Sequence, residues 1–124
     1  MSTQSIQIGV KASYLADQSD VADQRYVFSY TITIRNTGKR PVKLLTRRWL
    51  ITDAGGKVRE VRGDGVVGEQ PRIRPGEFHR YSSLSIIDTP VGTMEGSYGM
   101  IDEDGESFSA SIPVFRLAVP GILN

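Results

Sequence analysis

The 124-residue chain has no cysteine and a single histidine, His79. Without thiols it cannot carry the cross-sheet disulfide of many secreted sandwiches, a thiolate zinc site or a cysteine nucleophile. One histidine without thiols is also too few ligands for a structural zinc centre. An excess of either charge is missing too: 15 Lys and Arg stand against 14 Asp and Glu, a net charge of +1. No global field therefore drives the chain onto nucleic acid or a membrane surface, and neither is expected as a partner. No apolar run approaches the roughly 20 residues that span a bilayer. The start, Met1-Ser2-Thr3-Gln4-Ser5, lacks the basic and apolar segments of a signal peptide, so a cytoplasmic location is the expectation. No Gly-x-Ser-x-Gly elbow is present, which leaves a serine hydrolase without its motif.

What is present is alternation. The apolar fraction of 39% over 124 residues suits one domain, taken as residues 1–124, and a core that needs no staple. Ile6, Ile8, Val10, Ala12 and Tyr14 alternate with polar residues, as do Tyr26, Phe28, Tyr30, Ile32 and Ile34, and a period of two marks half-buried strands. Residues 15–23 break the rhythm and read as a loop. Between Val42 and Ile51 the apolar parity changes, which predicts a bulge near Leu44-Leu45. Asp53-Ala54-Gly55-Gly56 is turn chemistry, and Pro75-Gly76 suits a type II turn. Residues 62–70 read as irregular. Strands are predicted over residues 78–86 and 94–101. A last strand from about residue 106 is expected to break at Pro113 and switch partners, because proline lacks the ladder donor. Seven to eight short strands and no capped helical period predict an all-β chain of two packed antiparallel sheets, with a partly closed barrel as the alternative.

Several runs carry a family resemblance. They are Arg25-Tyr26-Val27-Phe28, Thr33-Ile34-Arg35-Asn36, Trp49-Leu50-Ile51-Thr52, Gly92-Thr93-Met94, Met100-Ile101-Asp102, the 63–71 segment Gly-Asp-Gly-Val-Val-Gly-Glu-Gln-Pro, and the tail from Ile112 to Pro120. From about residue 6 to the end the chain resembles the bacterial ApaG family. The resemblance implies an immunoglobulin-like, fibronectin type III-like sandwich, a cytoplasmic setting and a link to cobalt and magnesium resistance. Related domains inside larger partner-binding proteins imply an interaction module. No enzymatic activity and no cofactor follow from it, and fold alone supplies neither.

Three features are candidates for chemistry. Gly63-x-Gly65-x-x-Gly68 matches a dinucleotide fingerprint as text, but Glu69-Gln70-Pro71-Arg72 follows it, and a proline there does not continue the helix that fingerprint requires. Two readings remain open. The glycines satisfy positive φ angles, or the loop is a backbone nest for an anion. In the second reading Gly63, Asp64, Gly65, Gly68 and Arg72 form a weak site for a nucleotide, pyrophosphate or other phosphorylated metabolite. Arg35, Lys39, Arg40, Lys43, Arg47 and Arg48 have no acid between them and read as one basic hairpin. Within it Arg40, Lys43, Arg47 and Arg48 are a candidate surface for an unidentified protein partner, against the reading of a solvated face that discourages aggregation. Asp102 and Asp104, in the acidic run 102–106, are candidate ligands for a divalent cation, against the reading of a solvated turn. His79 reads as an ordinary strand side chain and Trp49 as core. The sequence leaves monomer and dimer open.

Overall fold

A computed structural model describes residues 5–122. Eight strands follow in order: β1 (Ile6–Tyr14), β2 (Tyr26–Asn36), β3 (Val42–Asp53), β4 (Val58–Asp64), β5 (Arg72–Ile73), β6 (Phe78–Ile87), β7 (Val91–Asp102) and β8 (Ser107–Ala118). One 3₁₀ turn, Ala16–Gln18, interrupts the loop after β1. The strands form two antiparallel sheets, β1-β2-β6 and β4-β3-β7-β8, with β5 on the edge of β3. This is the expected immunoglobulin- and fibronectin-like sandwich. Among the described residues no ladder joins the two sheets, so the barrel alternative falls. No helix of the described residues is long and apolar enough to cross a membrane.

The core lies where alternation puts it. Phe28, Tyr30, Ile32 and Ile34 of β2 face Leu44, Trp49 and Ile51 of β3 and Met94, Tyr98 and Met100 of β7. Trp49 is buried between the rings of Tyr30 and Phe115, at centroid distances of 5.3 and 5.9 Å. Asn36 is a fully buried polar side chain, and its bonds close the turn after β2 and tie that turn to β5. Its Nδ2 donates to Arg40 O and Ile73 O, and its Oδ1 accepts from Gly38 N.

Two irregularities set the register. The β3–β7 ladder shifts between Leu44 and Thr46, which is the bulge read from the parity change. The β7–β8 ladder shifts between Met94 and Gly96, where Pro113 and Val114 stand opposite the single residue Glu95. The expectation at Pro113 is therefore corrected. The strand bulges there but stays on β7 from Ser107 to Ala118, since a bulge leaves the proline nitrogen out of the ladder without ending the strand. Two further readings change. The 62–70 stretch is not wholly irregular, because β4 runs on to Asp64. The basic hairpin is no hairpin, because β2 and β3 belong to different sheets.

Candidate functional site

The glycine-rich segment leaves β4 at Asp64 and turns tightly beside the β3 bulge. Val66 N donates to Glu69 O at 2.8 Å, and Glu69 N returns to Val66 O at 3.1 Å. The two residues between them both take positive φ, Val67 at 49° and Gly68 at 78°, which is the type I′ turn. Gly65 sits at φ 64°, and an added Cβ would lie 2.3 Å from Glu69 O. The bulge anchors this turn, because Leu45 O accepts from Gly65 N at 2.8 Å and from Gln70 Nε2 at 2.9 Å.

Gly63 has a different reason to be glycine. Its backbone is ordinary strand, but a Cβ there would meet the Arg47 guanidinium at 2.7 Å. Arg47 shares the inward parity of Trp49 and Ile51, crosses over Gly63, and donates through Nη1 to Asp64 O and Gly65 O at 3.0 and 2.9 Å. The loop is thus pinned from both sides, by a backbone carbonyl and by an arginine. The parity of Arg47 with Trp49 was the available sequence signal for this role.

The same guanidinium is felt by a buried tyrosine cluster. The hydroxyls of Tyr81 on β6 and Tyr98 on β7 bond at 2.5 Å across the two sheets. Burial raises the pKa of both well above the ordinary tyrosine range. Tyr30 is also raised by burial, partly offset by a hydrogen bond to Ser83 and by the charge of Arg47.

The predicted cations do not share one surface. Arg47 points inward. Arg48, on the outer face of the large sheet, bonds Glu60 Oε2 at 2.7 Å, and Arg62 bonds the same oxygen at 2.7 Å. These two bonds lower the Glu60 pKa. Beside them lies an open trough of about 420 Å³ whose lining includes Arg47, Arg48, Arg62, Gly63, Asp64 and Ser97. Arg40 and Lys43 sit at the other end of β3, and there the acidic turn meets them. Arg40 is paired with Asp104, Arg72 lies 4.0 Å from Glu103, and Lys43 is in register with Arg72. Arg72 is therefore next to Lys43 on β5 and not in the turn with Gly65 and Gly68.

The carboxylates proposed for a cation are engaged locally. Asp102 Oδ1 accepts from the backbone of Asp104 and Glu106. Among the described residues no three His, Asp or Glu side chains converge to hold a metal ion. His79 stacks on Tyr81 at 6.4 Å.

A family model described as the ApaG domain matches residues 16–102. The chain is similar to Protein ApaG from Salmonella arizonae, 56% identical over 117 residues that cover 94% of both chains, and equally to that from Salmonella paratyphi B. Among solved structures it is similar to a structural-genomics target determined by X-ray crystallography, with 53% identity and a TM-score of 0.93, covering 98% of this chain and 92% of that one. It is also similar to a protein from Bordetella pertussis named as ApaA, with 44% identity and a TM-score of 0.92, covering 94% and 95%.

Proposed function

The chain belongs to the ApaG family, and from that premise we propose that it works as a non-enzymatic protein-interaction module whose docking element is the 63–70 loop. One observation carries this reading. Val67, a β-branched residue at φ 49°, stands 62% exposed at the tip of the loop. Such a residue in the left-handed region is strained, and strain at an exposed position points to use. The surrounding bonds from Leu45, Arg47 and Gln70 hold that apolar tip rigid, and a preorganised contact loses less entropy on docking.

A phosphorylated ligand at the loop has weaker support. The amides of Gly65, Val66 and Glu69 already donate to carbonyls, and a nest needs such amides turned outward. The trough beside Gly63 has Arg48 and Arg62, but both already bond Glu60, Arg47 is spent on loop carbonyls, and Asp64 adds a carboxylate to the lining. The cobalt and magnesium link implied by the family fits docking on a partner better than direct binding, since Asp102 caps its own turn and Asp104 pairs with Arg40.

A photo-reactive phenylalanine at position 67 tests the reading in cells expressing the protein. One protein adduct is expected at position 67 and none from the same group at Val21, which is equally exposed at 62%. Equal labelling at both positions refutes the loop as a docking element.

A further inference from the structure

We propose that the free edge of β6 binds an extended segment of a partner protein as an added antiparallel strand, with apolar residues opposite Ile86 and Leu84 and an acidic residue opposite Arg80. This rests on the interaction-module reading and names a second, separate surface for it.

Edge strands in native proteins carry guards against pairing: prolines, bulges, lysines, or cover from another element. Three edges here are guarded. β8 has Pro113 and its bulge. β1 has Gly9 and Lys11 and lies beside β8. β4 is charged through Arg59, Glu60 and Arg62 and ends on Gly63-Asp64. β6 has no such guard except at its end, where Arg59 of β4 reaches Ile86 O. Its ten residues contain no proline, glycine or lysine, and it pairs with β2 in unbroken register from Phe78 to Ile87.

The open side of β6 follows from two bonds. Asn36 N donates to Glu77 O, so odd-numbered residues of this segment turn toward β2. Arg59 Nη2 reaches Ile86 O at 3.2 Å from β4, so even-numbered residues turn their N–H and C=O away. Phe78, Arg80, Ser82 and Leu84 thus offer an unpaired ladder, and it runs on to Ile86, whose carbonyl accepts one bond from Arg59 and keeps a second lone pair. The same residues point their side chains to the outer face of the sheet. Leu84 is 51%, Phe78 46% and Ile86 38% exposed.

That face has a single sign of charge. The outward positions of β1, β2 and β6 include Lys11, Arg35 and Arg80 and no carboxylate. Among the described residues none of the three is in an ion pair. Arg80 is held in place, with Nε on Thr33 Oγ1 at 2.9 Å and its guanidinium 4.8 Å from the Phe78 ring centre. Arg35 stacks on the same ring at 5.0 Å. In an antiparallel addition, alternate residues of the incoming strand lie opposite Ile86, Leu84, Ser82 and Arg80 in turn, and cross-strand neighbours select one another. The matching segment reads apolar, any, apolar, any, hydroxyl, any, acidic.

The probe is the blocked peptide Val-Thr-Val-Thr-Ser-Thr-Glu-Thr, titrated into the whole isotope-labelled protein and followed by amide shifts. Shifts confined to residues 78–86 are expected, with the peptide carrying Lys in place of Glu binding roughly tenfold more weakly. Arg80→Glu should reverse that preference. Leu84→Lys changes only an exposed side chain and should abolish binding. Ser82→Pro removes an N–H that β2 does not use and should do the same. Absent shifts, shifts elsewhere, or binding indifferent to both blocking substitutions overturn the proposal. So does concentration-dependent movement of the 78–86 amides without peptide, which would assign the edge to a second copy of the chain. If the edge fails while position 67 still cross-links a protein, the edge proposal falls alone. If both fail, the interaction reading falls with it.

Discussion

Single residues show where alternation was informative and where it was not. Trp49 was legible as core and Gly76 as a positive-φ turn residue, at 82°, because both depend on neighbours in sequence. Gly63 was misleading. It looks like the first member of a phosphate-binding fingerprint, yet its role is to leave room for Arg47: parity turns Arg47 inward, and the pairing of β3 with β4 sets it over Gly63. The Tyr81–Tyr98 bond was equally hidden, since it joins residues on different sheets. Tyr81→Phe should cost about 1–3 kcal/mol by leaving the Tyr98 hydroxyl buried without a partner. The double replacement with Tyr98→Phe should cost less than the sum of the singles. Urea unfolding of the four proteins measures this, and strict additivity would show that the two hydroxyls are not coupled. Ser85 Oγ is buried with no partner, so Ser85→Ala should be neutral or stabilising by up to about 1 kcal/mol. At the loop tip, Val67→Asn gives the Asn-Gly pair that type I′ turns favour. It should raise stability by about 1 kcal/mol, since asparagine tolerates the left-handed region that valine resists. The same change should erase the position-67 contact, separating strain kept for binding from strain of no consequence.

At the level of elements, the two bulges do different work. The one in β8 accommodates Pro113 and lets the inward set pass from Ile112 to Phe115 and Leu117. Its sequence signs, a proline and a parity change, were visible, but they do not distinguish a bulge from a change of partner. In β3 the parity change alone locates the bulge. Its purpose was not legible, because the loop it serves begins some twenty residues later. By inserting Leu45, β3 turns one carbonyl out of the ladder toward the loop, where Gly65 N and Gln70 Nε2 take it. Deleting Leu45 should leave both sheets folded, since Thr46 can keep its place opposite Gly99, while freeing the loop. Hydrogen exchange at the Gly65 and Val66 amides should then accelerate to near-solvent rates, with β2 and β7 amides still protected. Exchange accelerating equally throughout would mean that the bulge supports the fold and not the loop.

For the whole molecule, the sandwich was legible because its interior is built from period-two strands, and the split of those strands between sheets was not. Arg35 and Arg40 are five positions apart in sequence, yet one lies on the outer face of the small sheet and the other meets Asp104 at the end of the large one. A basic run along the chain therefore does not make a basic surface. The contact between the sheets also sets how the molecule responds to alkali. Tyr30, Tyr81 and Tyr98 all hold their protons beyond the ordinary value of 10.0 because burial opposes the phenolate. In the unfolded chain they lose them near that value. Above it the folded state binds more protons than the unfolded one, so stability must fall as pH rises, by about 1.4 kcal/mol per pH unit for each such tyrosine. Below it both states are protonated and these groups add no slope. The urea midpoint should thus be insensitive to these tyrosines from pH 7 to 9 and drop steeply past pH 10. In the Tyr81→Phe, Tyr98→Phe double variant the drop should be shallower, because two of the three groups are gone. An identical alkaline slope in both proteins would mean that the hydroxyls ionise in the folded state, and that the tyrosine pair does not seal one sheet against the other.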